Sequence, residues 1–139
     1  MPDRDVILAK VATIQKCLER IRDVTSLDPA SLDDINRQDI FVLNLQRAIQ
    51  ASIDLASHIV ASEGLGLPET VRDNFALLKD KGIIDPEIAS RMEKMTGFRN
   101  IAIHNYQALN LDILKSILTR NLKDVEVFYT AVFIRFRLP

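Results

Sequence analysis

Tryptophan is absent and cysteine occurs once, at Cys17. A lone thiol excludes an internal disulfide and a cysteine-based metal cluster. With neither a base nor a ligand set near it in sequence, Cys17 reads as a small apolar residue on a helix. Four glycines and five prolines in 139 residues are too few for a turn-rich β-sandwich. An excess of one charge is missing too: 18 Lys and Arg face 19 Asp and Glu, for a formal charge of −1. That balance removes the simplest argument for nucleic-acid binding, a strongly basic domain, so any contact with a polyanion must be local. No uncharged apolar run approaches the roughly 18 residues of a membrane span. The opening MPDRDVILAK mixes both charges, and no secretory signal is expected of it. Together with the unpaired thiol, these absences point to a reducing cytoplasm.

What the chain does have is apolar residues in helical register. Hydrophobic residues make up 47% and charged residues 27%, the composition of a single folded domain over 1–139. Ile7, Val11, Ile14, Leu18 and Ile21 share one stripe, predicting a helix from about Asp3 to Thr25. Asp28-Pro29 breaks it. A second helix, about Arg37 to Ser62, is apolar nearly all round (Phe41, Val42, Leu43, Leu45, Ile49, Ile53, Leu55, Ile59, Val60), which suits the middle of a bundle or a subunit interface. Gly64 and Gly66 stop it. A shorter third helix is expected from Pro68 to Lys81-Gly82. Asp85-Pro86 opens a fourth, to about His104. A fifth spans about Leu111 to Phe133, with Leu111, Leu114, Leu118, Val125, Phe128 and Val132 on its buried side. No segment alternates with period two, so the expected fold is all-α, a five-helix up-and-down bundle.

The fourth helix carries the local anomaly. Ile88, Met92, Met95, Ala102 and Ile103 form its apolar face within about 80–100°, and Arg99 falls inside that arc. A guanidinium there must be paired or must line a wet cleft, and its planar fork suits phosphate or carboxylate better than lysine would. Glu93, Gly97, Asn100 and His104 form a second stripe. Gly97 costs a helix about 1 kcal/mol relative to alanine, which suggests a close approach of another backbone or of a ligand. A packing glycine between helices or at a dimer seam explains it as well. By themselves, His104 reads as a satisfied structural histidine and Tyr106 as a half-buried phenol.

The whole string is more specific than its parts. Arg99-Asn100-x-x-x-His104-x-Tyr106 resembles the R-x4-H-x-Y motif of the HepT toxins, members of the HEPN superfamily of small all-helical ribonucleases. The surrounding Gly97-Phe98 and Ile101-Ala102-Ile103 resemble the usual setting of that motif, and the run from Leu43 to His58 is similar to the family's second helix. The resemblance covers most of the chain. It implies the toxin of a type VII-like toxin–antitoxin pair, homodimeric, with two copies of the motif lining a shared cleft. It further implies metal-independent RNA cleavage, in which the ribose 2′-OH attacks the adjacent phosphate to leave a 2′,3′-cyclic phosphate and a 5′-OH.

Under that resemblance His104 is the general base or acid, histidine being the side chain that exchanges a proton near neutral pH. Arg99 holds the scissile phosphate. Asn100 donates a further hydrogen bond to phosphate, orients His104, or is a polar interface residue. Tyr106 is the implied acceptor of AMP, transferred from ATP by a nucleotidyltransferase antitoxin; no cofactor is expected on this chain, ATP and magnesium belonging to the transferase. AMP beside Arg99 would exclude RNA by occupancy and repulsion, which requires an exposed Tyr106 hydroxyl. On the second helix, Arg47, Gln50, Asp54 and His58 form a polar stripe within about 80°. It is either a solvated groove with internal hydrogen bonds or a support in which Asp54 or Arg47 positions His104 or RNA, while His58 reads as structural. Arg120, Lys123, Arg135 and Arg137 are candidates for a wider RNA surface or an antitoxin contact. The rivals are a non-catalytic helical adaptor for a nucleotidyltransferase and a helical-bundle metalloenzyme. The latter lacks ligands, having two histidines on different helices and no Glu-x-x-His pair.

Overall fold

The structure, a computed structural model, describes residues 2–138. Among the described residues every regular element is helical. Helix α1 (Arg4–Thr25) begins where the Asp3 carboxylate accepts from the Asp5 and Val6 amides, satisfying donors that have no partner inside the helix. A short 3-10 turn at Pro29–Asp33 leads to α2 (Ile35–Ser62). Then follow α3 (Asp73–Asp80), α4 (Pro86–His104), α5 (Leu111–Ser116) and α6 (Leu122–Arg135).

Helix α2 touches α1, α3, α4 and α6, so a surface apolar nearly all round is what it needs. Phe41, Leu45, Ile49, Leu55 and Ile59 are fully buried, each contributing on the order of 1.5–3 kcal/mol by leaving water. Leu43 departs from the expectation, being an exposed residue of this helix. His58 ties α2 to the start of α1: its Nε2 accepts from the Asp3 amide at 2.9 Å, the structural role expected of it. In the core Phe75 of α3 meets Phe128 of α6 edge to face, at 5.3 Å between centroids and 80° between planes.

Two elements differ from expectation. Helix α3 starts at Asp73 rather than near Pro68, because the Asp73 carboxylate accepts from both the Glu69 and Thr70 amides at 3.0 Å and holds that stretch as a turn. The expected fifth helix is α5 and α6 joined through π-helical turns at Ile117–Asn121. Its expected inward stripe holds: Leu114, Leu118, Val125, Phe128 and Val132 are buried and Leu111 is half-buried. Asp124, 3% exposed on α6, binds Arg91 of α4 at 2.9 Å and fastens the two helices. No helix among the described residues is long and apolar enough to cross a membrane.

Candidate active site

Helix α4 is capped by Asp85, whose carboxylate accepts from the Ile88 amide at 2.8 Å. Ala89, Met92, Met95, Phe98 and Ala102 form its buried side. Phe98 takes the place expected of Ile103, which is 45% exposed. Residues 103–108 are all exposed, so beyond Ala102 the chain runs past its neighbours and Ile103 meets no core.

Arg99 is half-buried and leans toward α2. Its Nη1 donates to the Gln50 side-chain oxygen, and its Nη2 donates to Asn100 Oδ1 at 2.6 Å. Its Nε is buried without a hydrogen-bond partner, and no carboxylate among the described residues pairs with it. Behind Gln50 stands Asp54, which accepts from Gln50 Nε2 at 2.9 Å and pairs with Lys10 Nζ at 3.3 Å. A chain of contacts thus runs Lys10–Asp54–Gln50–Arg99–Asn100. The guanidinium is gripped by two neutral carboxamides, so it is oriented while its charge stays free for an anion. Gln50, visible in the sequence only as part of a polar stripe, is the residue that links Asp54 to Arg99.

His104 is the last residue of α4. It is exposed, and no group among the described residues bonds its ring. On the wheel of an ideal helix it lies about 140° from Arg99 and about 40° from Asn100. Asn100 accordingly sits between the guanidinium and the imidazole, and it spends its oxygen on Arg99.

Tyr106 follows in a single 3-10 turn, Tyr106–Ala108. The ring is 40% exposed, but the hydroxyl is not free: it donates to Asp39 Oδ1 near the start of α2. Partial burial first, then the hydrogen bond to Asp39 and its charge, push the phenol up to about 12. Asp39 carries no sequence signal, lying 67 residues from Tyr106.

Arg47 stands apart from this set. It is exposed and lines a groove of about 760 Å³ between α1 and α2, with Lys16, Cys17 and Arg20, and it makes no bond to Asp54 or Arg99. Cys17 is buried, and burial pushes its thiol up. Gly97 packs against no helix backbone: an added Cβ would meet only Arg72 Nη2, at 3.0 Å. No group of three or more His, Cys, Asp or Glu among the described residues could hold a metal ion.

A family model described as ribonuclease HepT-like matches residues 14–132. Over 128 residues, 92% of this chain and 96% of the relative, the sequence is 41% identical to a Shewanella oneidensis protein named mRNA nuclease HepT. A solved toxin–antitoxin complex with AMP-PNP gives a TM-score of 0.89 at 39% identity, covering 94% of this chain and 99% of that one. A tri-AMPylated Shewanella oneidensis HEPN toxin in complex with MNT antitoxin gives 0.89 at 40%, covering 95% and 99%.

Proposed function

This chain belongs to the ribonuclease HepT-like family, and we propose that it is the toxin of a toxin–antitoxin pair, an endoribonuclease silenced when a nucleotidyltransferase antitoxin attaches AMP to Tyr106. The observation that carries this reading is the state of Arg99 and His104. A guanidinium fixed by Gln50 and Asn100 with no counter-charge stands on the same helix as an imidazole left exposed and unbonded.

In the reaction we propose, Arg99 binds the non-bridging oxygens of the scissile phosphate. The 2′-OH loses its proton to a His104 imidazole as its oxygen attacks phosphorus. The bond to the 5′ oxygen breaks, and an imidazolium gives that oxygen a proton. The products are a 2′,3′-cyclic phosphate and a 5′-OH, with no net change in protons. Two imidazoles in opposite states are needed, and a homodimer that pairs two copies of α4 supplies them. Ile103, 45% exposed at the end of α4, is an apolar residue that such a pairing could cover. Stabilisation of the phosphorane falls to Arg99, a preorganised donor whose orientation is set before substrate arrives. Nothing in this scheme routes a step through a metal.

Tyr106 is the proposed switch. Its phenolic oxygen attacks the α-phosphorus of ATP held by the transferase, pyrophosphate leaves, and the phenolic proton passes to the Asp39 carboxylate already bonded to it. The product places an anionic phosphate and a bulky nucleoside two residues beyond His104. An RNA substrate and an ATP-using partner support a cytoplasmic location.

The test is RNA cleavage by the purified protein in EDTA. Wild type should cleave and His104→Ala should not, with an unchanged circular dichroism spectrum. Equal cleavage by the variant would remove the assigned chemistry. A wild type that accepts AMP from the antitoxin yet never cleaves RNA would leave the helical adaptor.

A further inference from the structure

A second groove, of about 690 Å³, lies between α4 and the α5–α6 rod. Arg72, Lys94, Arg120 and Lys123 stand on its walls, all exposed, and none pairs with a carboxylate among the described residues. The groove's own carboxylate, Asp124, accepts from Arg91 at 2.9 Å and from Asn121 at 3.3 Å, and Arg91 also binds Glu87 at 2.5 Å, so Asp124 is engaged in its own ion-pair cluster and pairs with none of the four. In a chain of net charge −1, four uncompensated cations around one slot are a local concentration that composition conceals. Between them are Ile101, 47% exposed, and Ile113, 55% exposed.

Helix α4 joins this groove to the site. Lys94, Gly97, Ile101 and His104, spaced i, i+3, i+7 and i+10, fall within about 80° of one another along about 15 Å of helix. A strand lying in the groove therefore arrives at His104. The opposite wall includes the π-helical turns at Ile117–Asn121, whose wider rings hold an extra residue, and both Arg120 and Asn121 line the groove. Such turns are frequent at functional positions.

We propose that this groove is an exosite for single-stranded RNA. Resting on the ribonuclease reading above, it extends that reading from the cut phosphate to the nucleotides on one side of it. Arg72, Lys94, Arg120 and Lys123 hold successive phosphates, and Ile101 and Ile113 give bases an apolar surface. A single strand suits the groove, whose volume is that of a small-ligand pocket and leaves no room for a duplex. Cations on both walls fit a repeating polyanion, and continuity with His104 favours the substrate over the antitoxin.

The triple variant Lys94→Gln/Arg120→Gln/Lys123→Gln tests this, with Lys94→Gln alone as the milder change. The substrates are a 20-nucleotide RNA and a tetranucleotide. The triple variant should raise KM for the long RNA about tenfold or more, with kcat and tetranucleotide cleavage unchanged. Losing three phosphate contacts should lower the slope of log affinity against log salt by about 2, and Lys94→Gln alone by about 0.7. An unchanged KM and slope for the long RNA would overturn the proposal. So would weaker binding of the antitoxin with RNA binding intact, which would make the groove a protein contact. His104→Ala, assayed in parallel, separates the two levels. Cleavage by that variant sinks the ribonuclease reading; a silent His104→Ala beside a triple variant that handles long RNA like wild type sinks the exosite alone.

Discussion

The Tyr106 hydroxyl donates to the Asp39 carboxylate, bringing the end of α4 against the start of α2. The contact gives the phenol a proton acceptor at the atom that would lose its proton in the proposed AMP transfer. Asp39→Asn keeps the shape and removes the acceptor, so AMP transfer by the antitoxin should slow by about 10²-fold, the usual scale of general-base assistance. Tyr106→Phe should gain no AMP at all. Mass spectrometry after incubation with ATP and antitoxin reads both, and AMP on Tyr106→Phe would place the modification elsewhere.

The same contact predicts a titration. The Tyr106 phenol is pushed up to about 12, against about 10 for an ordinary phenol. Folding favours the protonated form, so its stabilising contribution is complete below about pH 10 and is lost as pH rises through about 12. Phenolate absorbance should show a late transition that is missing in Tyr106→Phe and moved toward ordinary values in Asp39→Asn. A transition unmoved by Asp39→Asn would mean that burial alone sets it.

Arg99 and Gln50 should separate by kinetics. Arg99→Lys keeps the charge and loses the planar fork, so cleavage should fall by about 10²–10³-fold, the scale of one lost oxyanion donor. Gln50→Ala leaves Arg99 charged but releases Nη1 and unties Asp54. A positioning residue of that kind should lower kcat by about tenfold with little change in KM. Single-turnover cleavage measures both; full activity of Gln50→Ala would show that Asn100 alone orients the guanidinium.

The residues that sequence reading could and could not place differ in the range of the forces that fix them. Helix stripes such as Ile7–Val11–Ile14–Leu18–Ile21 are local, and all five side chains are buried. The caps at Asp3 and Asp85 are local too. The motif residues Arg99, His104 and Tyr106 stand out through the resemblance to R-x4-H-x-Y, a local string within one helix and its exit; periodicity alone marks only Arg99. Asp39 and the Gln50–Arg99 bond do not stand out, since each joins positions 67 or 49 apart and no periodicity encodes which polar residues face each other. Ile103 shows the opposite limit. Its period is that of the apolar face, but periodicity names a direction around a helix and says nothing of whether another element lies there. Arg47 shares a stripe with Gln50 and Asp54, and like Asp54 it faces α1, yet it joins no bond of the chain that ends at Arg99, because a shared stripe does not encode which polar partners are within reach.

Gly97 is where stability and function give opposite signals. In a helix interior alanine is favoured over glycine by about 1 kcal/mol. The added Cβ would meet only Arg72 Nη2 at 3.0 Å, the far end of a flexible side chain held by one 3.3 Å bond to the Glu93 carbonyl. Arg72 can move by the few tenths of an ångström required, so Gly97→Ala should raise the thermal midpoint by about 2–4 °C. The cost falls on RNA: a displaced Arg72 should weaken binding of the 20-nucleotide substrate and leave tetranucleotide cleavage alone. A lowered midpoint accompanied by a shift from dimer to monomer in sedimentation would mean instead that a second protomer's backbone rests on Gly97, and that the glycine serves the seam between subunits.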